Sequence, residues 1–244
     1  MDSVVYNEHI ENEETHWWFV ARRAITRHIL DRVKLPKNAK ILDLGCGSGG
    51  NLPMLAPYGS ELFGSEMNDK VREHSIKRNI ASVAYGKLPD EIPFADQKFD
   101  LIAMFDVLEH IEDDHAALAA AAGRLERDGV LLITVPAFQF LFSRHDKLHH
   151  HFRRYSKNQL KEIVTAAGFK IELLNYWNFF LFPVTVFARI LDLFCSADKP
   201  AIGTKIPSSP INKFLIKLVS AERFLIPSVP LPFGVSLILV ARKN

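Results

Sequence analysis

The chain has 244 residues, 48% hydrophobic and 24% charged, a balance that suits a buried core and excludes a disordered polymer. Lys and Arg number 30 against 28 Asp and Glu, a net charge of +2, so nucleic acid is not an expected partner. Two cysteines, Cys46 and Cys195, exclude a disulfide scaffold and a four-cysteine zinc site.

The start is acidic (Glu8, Glu11, Glu13, Glu14) where a leader would be basic and then apolar, so no targeting segment is expected and the location is cytoplasmic. A helix is predicted over 13–33, with an apolar stripe at Trp18, Ala21, Ile25, Ile29 and Val33. Buried strands follow at 40–44, 61–66, 82–85, 99–105 and 130–135, with helical segments between them, the plainest at 113–126. That alternation predicts parallel strands with right-handed crossovers, a doubly wound α/β sheet. Ser156 and Gln159 form a capping box opening a helix that Gly168 closes. Strands at 169–176 and 235–241 complete the pattern. The apolar run 173–188 is broken by Asn175, Asn178 and Pro183, short of the roughly 20 apolar residues of a membrane span.

One domain is expected over 1–244. It divides into an N-terminal helical cap (1–39), a cofactor-binding core (40–177), a helical insertion (178–228) and a final strand (229–244).

Gly45-Cys46-Gly47-Ser48-Gly49-Gly50 joins the first strand to a helix, where glycines allow close approach of a ligand to the helix N-terminus. By spacing alone, Gly45, Gly47 and Gly50 also fit a dinucleotide site, so NAD is an alternative. Asp43 favours a cation-bearing cofactor, because a carboxylate there repels a pyrophosphate and attracts a sulfonium and an amine. Glu66 ends the second strand, placed for both ribose hydroxyls of either cofactor.

Ile41-Leu42-Asp43-Leu44-Gly45-Cys46-Gly47-Ser48-Gly49 resembles the first motif of class I S-adenosylmethionine-dependent methyltransferases. The segment 92–102 followed by Asp106-Val107-Leu108-Glu109-His110-Ile111 resembles that family's fourth-strand signature, and the likeness returns at 232–238. The resemblance implies a Rossmann-like, seven-stranded sheet with an antiparallel last strand, and S-adenosyl-L-methionine as cofactor. It places Asp43, Gly45, Gly47 and Gly49 at the cofactor's amino-acid part, Glu66 at the ribose, Met67 on the adenine face and Leu88 at the adenine edge. Phe105 and Asp106 approach the methionine portion, and Arg22 or Arg23 its carboxylate.

Methyl transfer from a sulfonium needs alignment and exclusion of water, with a base only where the acceptor carries a proton. His110, just past the fourth strand, is the expected base, and His145 the alternative. Asp106, Glu109 and His110 also resemble the metal-binding cluster of some quinone and RNA methyltransferases; metal-free relatives share these residues, and no metal is assigned. The loop 144–155 follows the fifth strand, at the mouth of such a sheet. His149, Arg153, Arg154 and Tyr155 are the expected acceptor contacts, the two arginines suiting a phosphate or carboxylate. His16-Trp17-Trp18-Phe19 resembles an N-terminal helical lid, with Trp18 over the acceptor. In the insertion, Ile211, Phe214, Leu215, Leu218, Val219 and Leu225 make an apolar face that suits a membrane surface, a lid or a subunit contact.

The expected function is methyl transfer to an oxygen or nitrogen of a small or lipid-linked, anionic acceptor, with peripheral membrane contact, a lid and a subunit contact left open for the insertion. A non-catalytic cofactor-binding protein of a membrane assembly, and an NAD oxidoreductase, are the competing readings.

Overall fold

Strand β1 (Lys40–Leu44) and β4 (Phe99–Phe105) are near-continuous apolar runs, and such strands must be covered on both faces. Around them β2 (Glu61–Ser65), β3 (Ser82–Ala84), β5 (Leu125–Pro136), β6 (Phe169–Trp177) and β7 (Ser236–Lys243) complete one seven-stranded sheet, in a computed structural model that describes residues 10, 12–193 and 206–244. The order is β3-β2-β1-β4-β5-β7-β6. Strands β1 to β5 pair in parallel, while β7 runs antiparallel to both β5 and β6. The Rossmann-like α/β sheet with an antiparallel last strand is as expected. From β1 the chain moves outward to β2 and β3, then crosses to β4 on the other side. The crevice for a ligand therefore opens beyond the carboxyl ends of β1 and β4.

Helix α1 (Trp17–Leu30) is capped at its N-terminus by the His16 side chain, which accepts from the Trp18 backbone N–H at 3.2 Å. Ala21, Ile25 and Ile29 are buried as the stripe requires, but the helix stops before Val33. Further helices are α2 (Leu52–Leu55), α3 (Asp69–Lys77), α4 (Asp114–Arg124), α5 (Arg144–Leu148), α6 (Lys157–Ala166), α7 (Phe182–Leu193) and α8 (Ser209–Ala221). The Ser156/Gln159 capping box is present, and Gly168 follows α6 at φ +88°.

One boundary and one helix face differ from expectation. Strand β5 begins at Leu125, where the chain leaves the helical region, so α4 ends before Glu126; pairing of Leu125 with Phe99 extends the strand beyond the apolar core residues. On α8 the buried positions are Asn212, Val219 and Ser220, whereas Ile211 and Phe214 are more than half exposed. The reason is polar: Asn212 Oδ1 accepts from the Trp17 N–H at 2.9 Å and its Nδ2 donates to the Thr15 carbonyl at 2.8 Å. Two satisfied backbone groups fix the rotation of α8 more firmly than its apolar face does. The link expected between α7 and α8, with Cys195, lies outside the described residues.

Candidate active site

A cavity of about 1220 Å³ opens beyond the carboxyl ends of β1, β2, β4 and β5. Gly45, Gly47, Glu66, Met67, Leu88, Phe105 and Asp106 line it, as do Trp18, Arg22, His110, His145, His149 and Arg154. Gly45 has φ +72° and a Cβ there would sit 2.6 Å from the Val107 side chain. Gly47 has φ +57°, and a Cβ there would point into open space; the constraint is the left-handed backbone, which turns its N–H to the Glu66 carboxylate at 3.2 Å. The other Glu66 oxygen accepts from the Asn68 N–H at 2.8 Å. Burial nevertheless raises the Glu66 pKa above its ordinary value, against the opposing effect of these N–H groups.

Asp43 is completely buried, and neither of its oxygens has a hydrogen-bond partner among the described residues. Leu44 and Gly45, not Asp43, form the wall of the cavity here. Burial pushes the Asp43 pKa up to about 7, with Arg22 opposing and Glu66 and Glu13 adding to the rise. Gly49 also stands behind the wall, against Ser75.

The N-terminal segment roofs this floor. Arg78 donates to the Ser48 carbonyl at 2.7 Å and pairs with Glu13 and Glu14 at 2.5 and 2.9 Å, pinning the segment to the glycine turn. Arg22 enters the cavity, with its guanidinium 4.6 Å from the Trp18 ring centre and an ion pair to Asp106. Asp106 has φ +56° at the end of β4 and also accepts from the Thr134 hydroxyl at 2.9 Å. Arg23 does not line the cavity.

The segment after β5 divides into two groups. Asp146, fully buried, accepts from His151 Nδ1 at 3.0 Å, Arg154 Nε at 2.7 Å and the Ser143 N–H at 2.8 Å. Burial acts to raise its pKa, but the bonds from His151 and Arg154 prevail and hold the carboxyl well below its usual range. An ionised carboxylate only accepts, so Nδ1 of His151 carries a proton, and in the neutral ring Nε2 is the acceptor. His151 lines the cavity, and its ring meets that of His110 edge-on at 4.6 Å. His145 is half-buried and its pKa falls to about 4, with desolvation the leading cause, so it is a poor proton acceptor at neutral pH.

Arg153 and Tyr155 were expected at the acceptor, but the structure turns both away from the cavity. Arg153 pairs with Asp114 at 2.8 Å and donates to the Glu112 carbonyl at 2.6 Å. The Tyr155 hydroxyl donates to Asp114 at 2.9 Å, and the residue is buried. Both tie the loop to the N-terminus of α4. Arg154 does line the cavity, with its Nε spent on Asp146.

Glu109, His110 and His151 place ligand-type atoms within 4.8 Å of one another. Both Glu109 oxygens are buried without a hydrogen-bond partner among the described residues, and burial, followed by the nearby Asp106, raises its pKa well above the ordinary value. This oxygen and imidazole set suits a divalent cation. Asp106, expected in such a cluster, is occupied by Arg22 and Thr134. The importance of His151 was not separable in sequence from its neighbours in the histidine run. The one available signal was Ser143-x-x-Asp146, a helix-start pattern that seats the carboxylate five residues before it.

A methyltransferase domain profile matches residues 16–174, and the chain belongs to this family of S-adenosylmethionine-dependent methyltransferases. The "Probable S-adenosylmethionine-dependent methyltransferase" of Mycolicibacterium smegmatis is 25% identical over 162 residues, 65% of this chain. The match spans 62% of that relative's length. A ubiquinone biosynthesis O-methyltransferase of Coxiella burnetii is 23% identical over 181 residues, covering 64% of this chain and 77% of that protein. Among solved structures, a chain from the Haloferax volcanii complex with the Trm112 methyltransferase activator aligns over 100% of this chain and 95% of its own, with TM-score 0.63 and 19% identity. The magnesium protoporphyrin IX methyltransferase of Synechocystis, solved with S-adenosylhomocysteine, aligns over 92% and 82% with TM-score 0.54 and 16% identity. At these identities the structures establish the shared fold.

Proposed function

We propose that the protein transfers the methyl group of S-adenosylmethionine to an oxygen or nitrogen of a small or lipid-linked, anionic acceptor. The observation that carries this reading is the pair of carboxyl groups at the glycine turn, Glu66 on the wall of the cavity and Asp43 buried behind Leu44 and Gly45. Two carboxylates disfavour a pyrophosphate and favour the ammonium and sulfonium of this cofactor. Glu66 offers its remaining lone pairs to the ribose, Met67 and Leu88 flank the adenine, and Phe105, Asp106 and Arg22 face the methionine part. A bound cofactor supplies the activated methyl group; the chain's residues align the acceptor and exclude water.

For an acceptor that must lose a proton, His151 is the base that the geometry favours, with His110 beside it. Trp18, His149 and Arg154 line the acceptor side. The names of the Coxiella relatives add weight to oxygen as the acceptor atom. Calorimetry with S-adenosylhomocysteine and with NAD tests the cofactor assignment. Tight NAD binding with none of the homocysteine ligand overturns it. Transfer of tritiated methyl groups into a lysate, followed by mass identification of the product, then names the acceptor.

A further inference from the structure

Helix α7 has two faces with different surroundings. Thr185 and Ala188 line the cavity, whereas Phe187 is 63% exposed and Leu191 44% exposed, spaced on one helical stripe. At the start of α8, Ile211 and Phe214 are 54% and 62% exposed. The two helices meet the same opening, because Val184 of α7 and Leu215 of α8 both stand on the cavity wall. Basic side chains are interleaved with this apolar surface: Lys213 and Lys217 on α8 are exposed, and Lys147 shares a small groove with Ile190. Asp192 is the only acidic residue in the sequences of the two helices.

We infer that α7 and the first turns of α8 dock on an anionic phospholipid surface, with the cavity mouth beside the bilayer. Charge decides among occupants. A second copy of the chain would bring the same basic patch to the interface, with Asp192 the one acidic residue that its two helices could offer these lysines. A lipid surface accepts phenylalanines at its acyl boundary and lysines at its phosphates together. No helix among the described residues is long and apolar enough to cross a membrane, so the helices lie on the surface. The docking stands on the exposed residues alone. Its consequence, that an amphiphilic acceptor enters from the bilayer, rests on the methyl-transfer reading above.

Co-sedimentation of the full chain with phosphatidylcholine vesicles, with and without one-third phosphatidylglycerol, tests the docking. The expected result is binding to the anionic vesicles that weakens with salt. The variant pair Phe187→Ser and Phe214→Ser should abolish it. Lys213→Ser with Lys217→Ser should lower partitioning roughly 30-fold, from the usual contribution of a basic residue near an anionic surface. S-adenosylhomocysteine affinity, measured on the same preparations, should be unchanged in the variants and reports that they are folded. Absence of wild-type binding to anionic vesicles overturns the inference. So does wild-type binding by the variants, or a stable dimer in ultracentrifugation that Phe187→Ser dissociates. Vesicle binding without homocysteine-ligand binding sinks the cofactor reading and leaves the docking in place.

Discussion

Nδ1 of His151 lies 3.0 Å from Oδ1 of the fully buried Asp146, and the same residue lines the cavity. The carboxylate fixes the tautomer and stabilises the charged ring once it takes a proton. With a proton-bearing acceptor in hand, His151→Ala should lower kcat by about 100-fold to 10,000-fold, the usual range for general base catalysis. Cofactor affinity should hardly change. A variant with wild-type kcat, or one whose loss is matched by loss of cofactor binding, would rule out a base at this position.

The two neighbouring arginines should behave differently in thermal and denaturant unfolding. Arg154 is buried against Asp146, so Arg154→Ala strands a buried charge and should cost about 3–5 kcal/mol. Arg153 makes a partly exposed pair with Asp114, and Arg153→Ala should cost about 1 kcal/mol or less. Equal effects would mean that the Asp146 centre does not hold the loop.

Glu66 meets two backbone N–H groups and faces the cavity. Glu66→Ala should weaken S-adenosylhomocysteine binding by about 1.5–3 kcal/mol, the value of a hydrogen bond to a charged group. Titration calorimetry measures it. Unchanged affinity removes Glu66 from the ribose.

Asp43 makes stability and binding depend on pH. Its folded pKa of about 7 stands above the ordinary 3.8, so the native chain holds a proton that the unfolded chain has released. The contribution to stability is complete below 3.8 and is lost as pH rises through about 7. Denaturant melts of the ligand-free protein should show this decline, and Asp43→Asn should remove it. A cationic cofactor favours the carboxylate, so binding at about pH 6 should release a proton. Calorimetry in buffers of different ionisation enthalpy detects the release; identical heats after correction would show that Asp43 does not sense the ligand.

The sheet was readable because its strands are apolar runs set off by helical spacing, and because the Gly45–Gly49 turn and Glu66 are local signals on adjacent strands. The wall of the cavity around Gly45, Gly47 and Glu66 therefore follows from short stretches of chain. The wall formed by the segment after β5 does not. Arg153 and Arg154 are adjacent in sequence, yet one reaches Asp114 and the other Asp146, partners on different elements that sequence adjacency does not reveal. Helix α8 misled for another reason. Its apolar face was legible, but Asn212, a single polar residue with two distant backbone partners, decides which side packs.

That asparagine also has a bearing on how the chain matures. Its bond to Trp17 closes a separation of 195 residues, so this fastening of the N-terminal helix can form only after α8 has left the ribosome. The strands that make the floor can pair earlier, with their ligand groove still uncovered. A chain stopped before α8 also lacks β7, so it should keep the parallel strands β1 to β5, with the N-terminal segment held through Arg78 and Asp106 but without its Asn212 fastening.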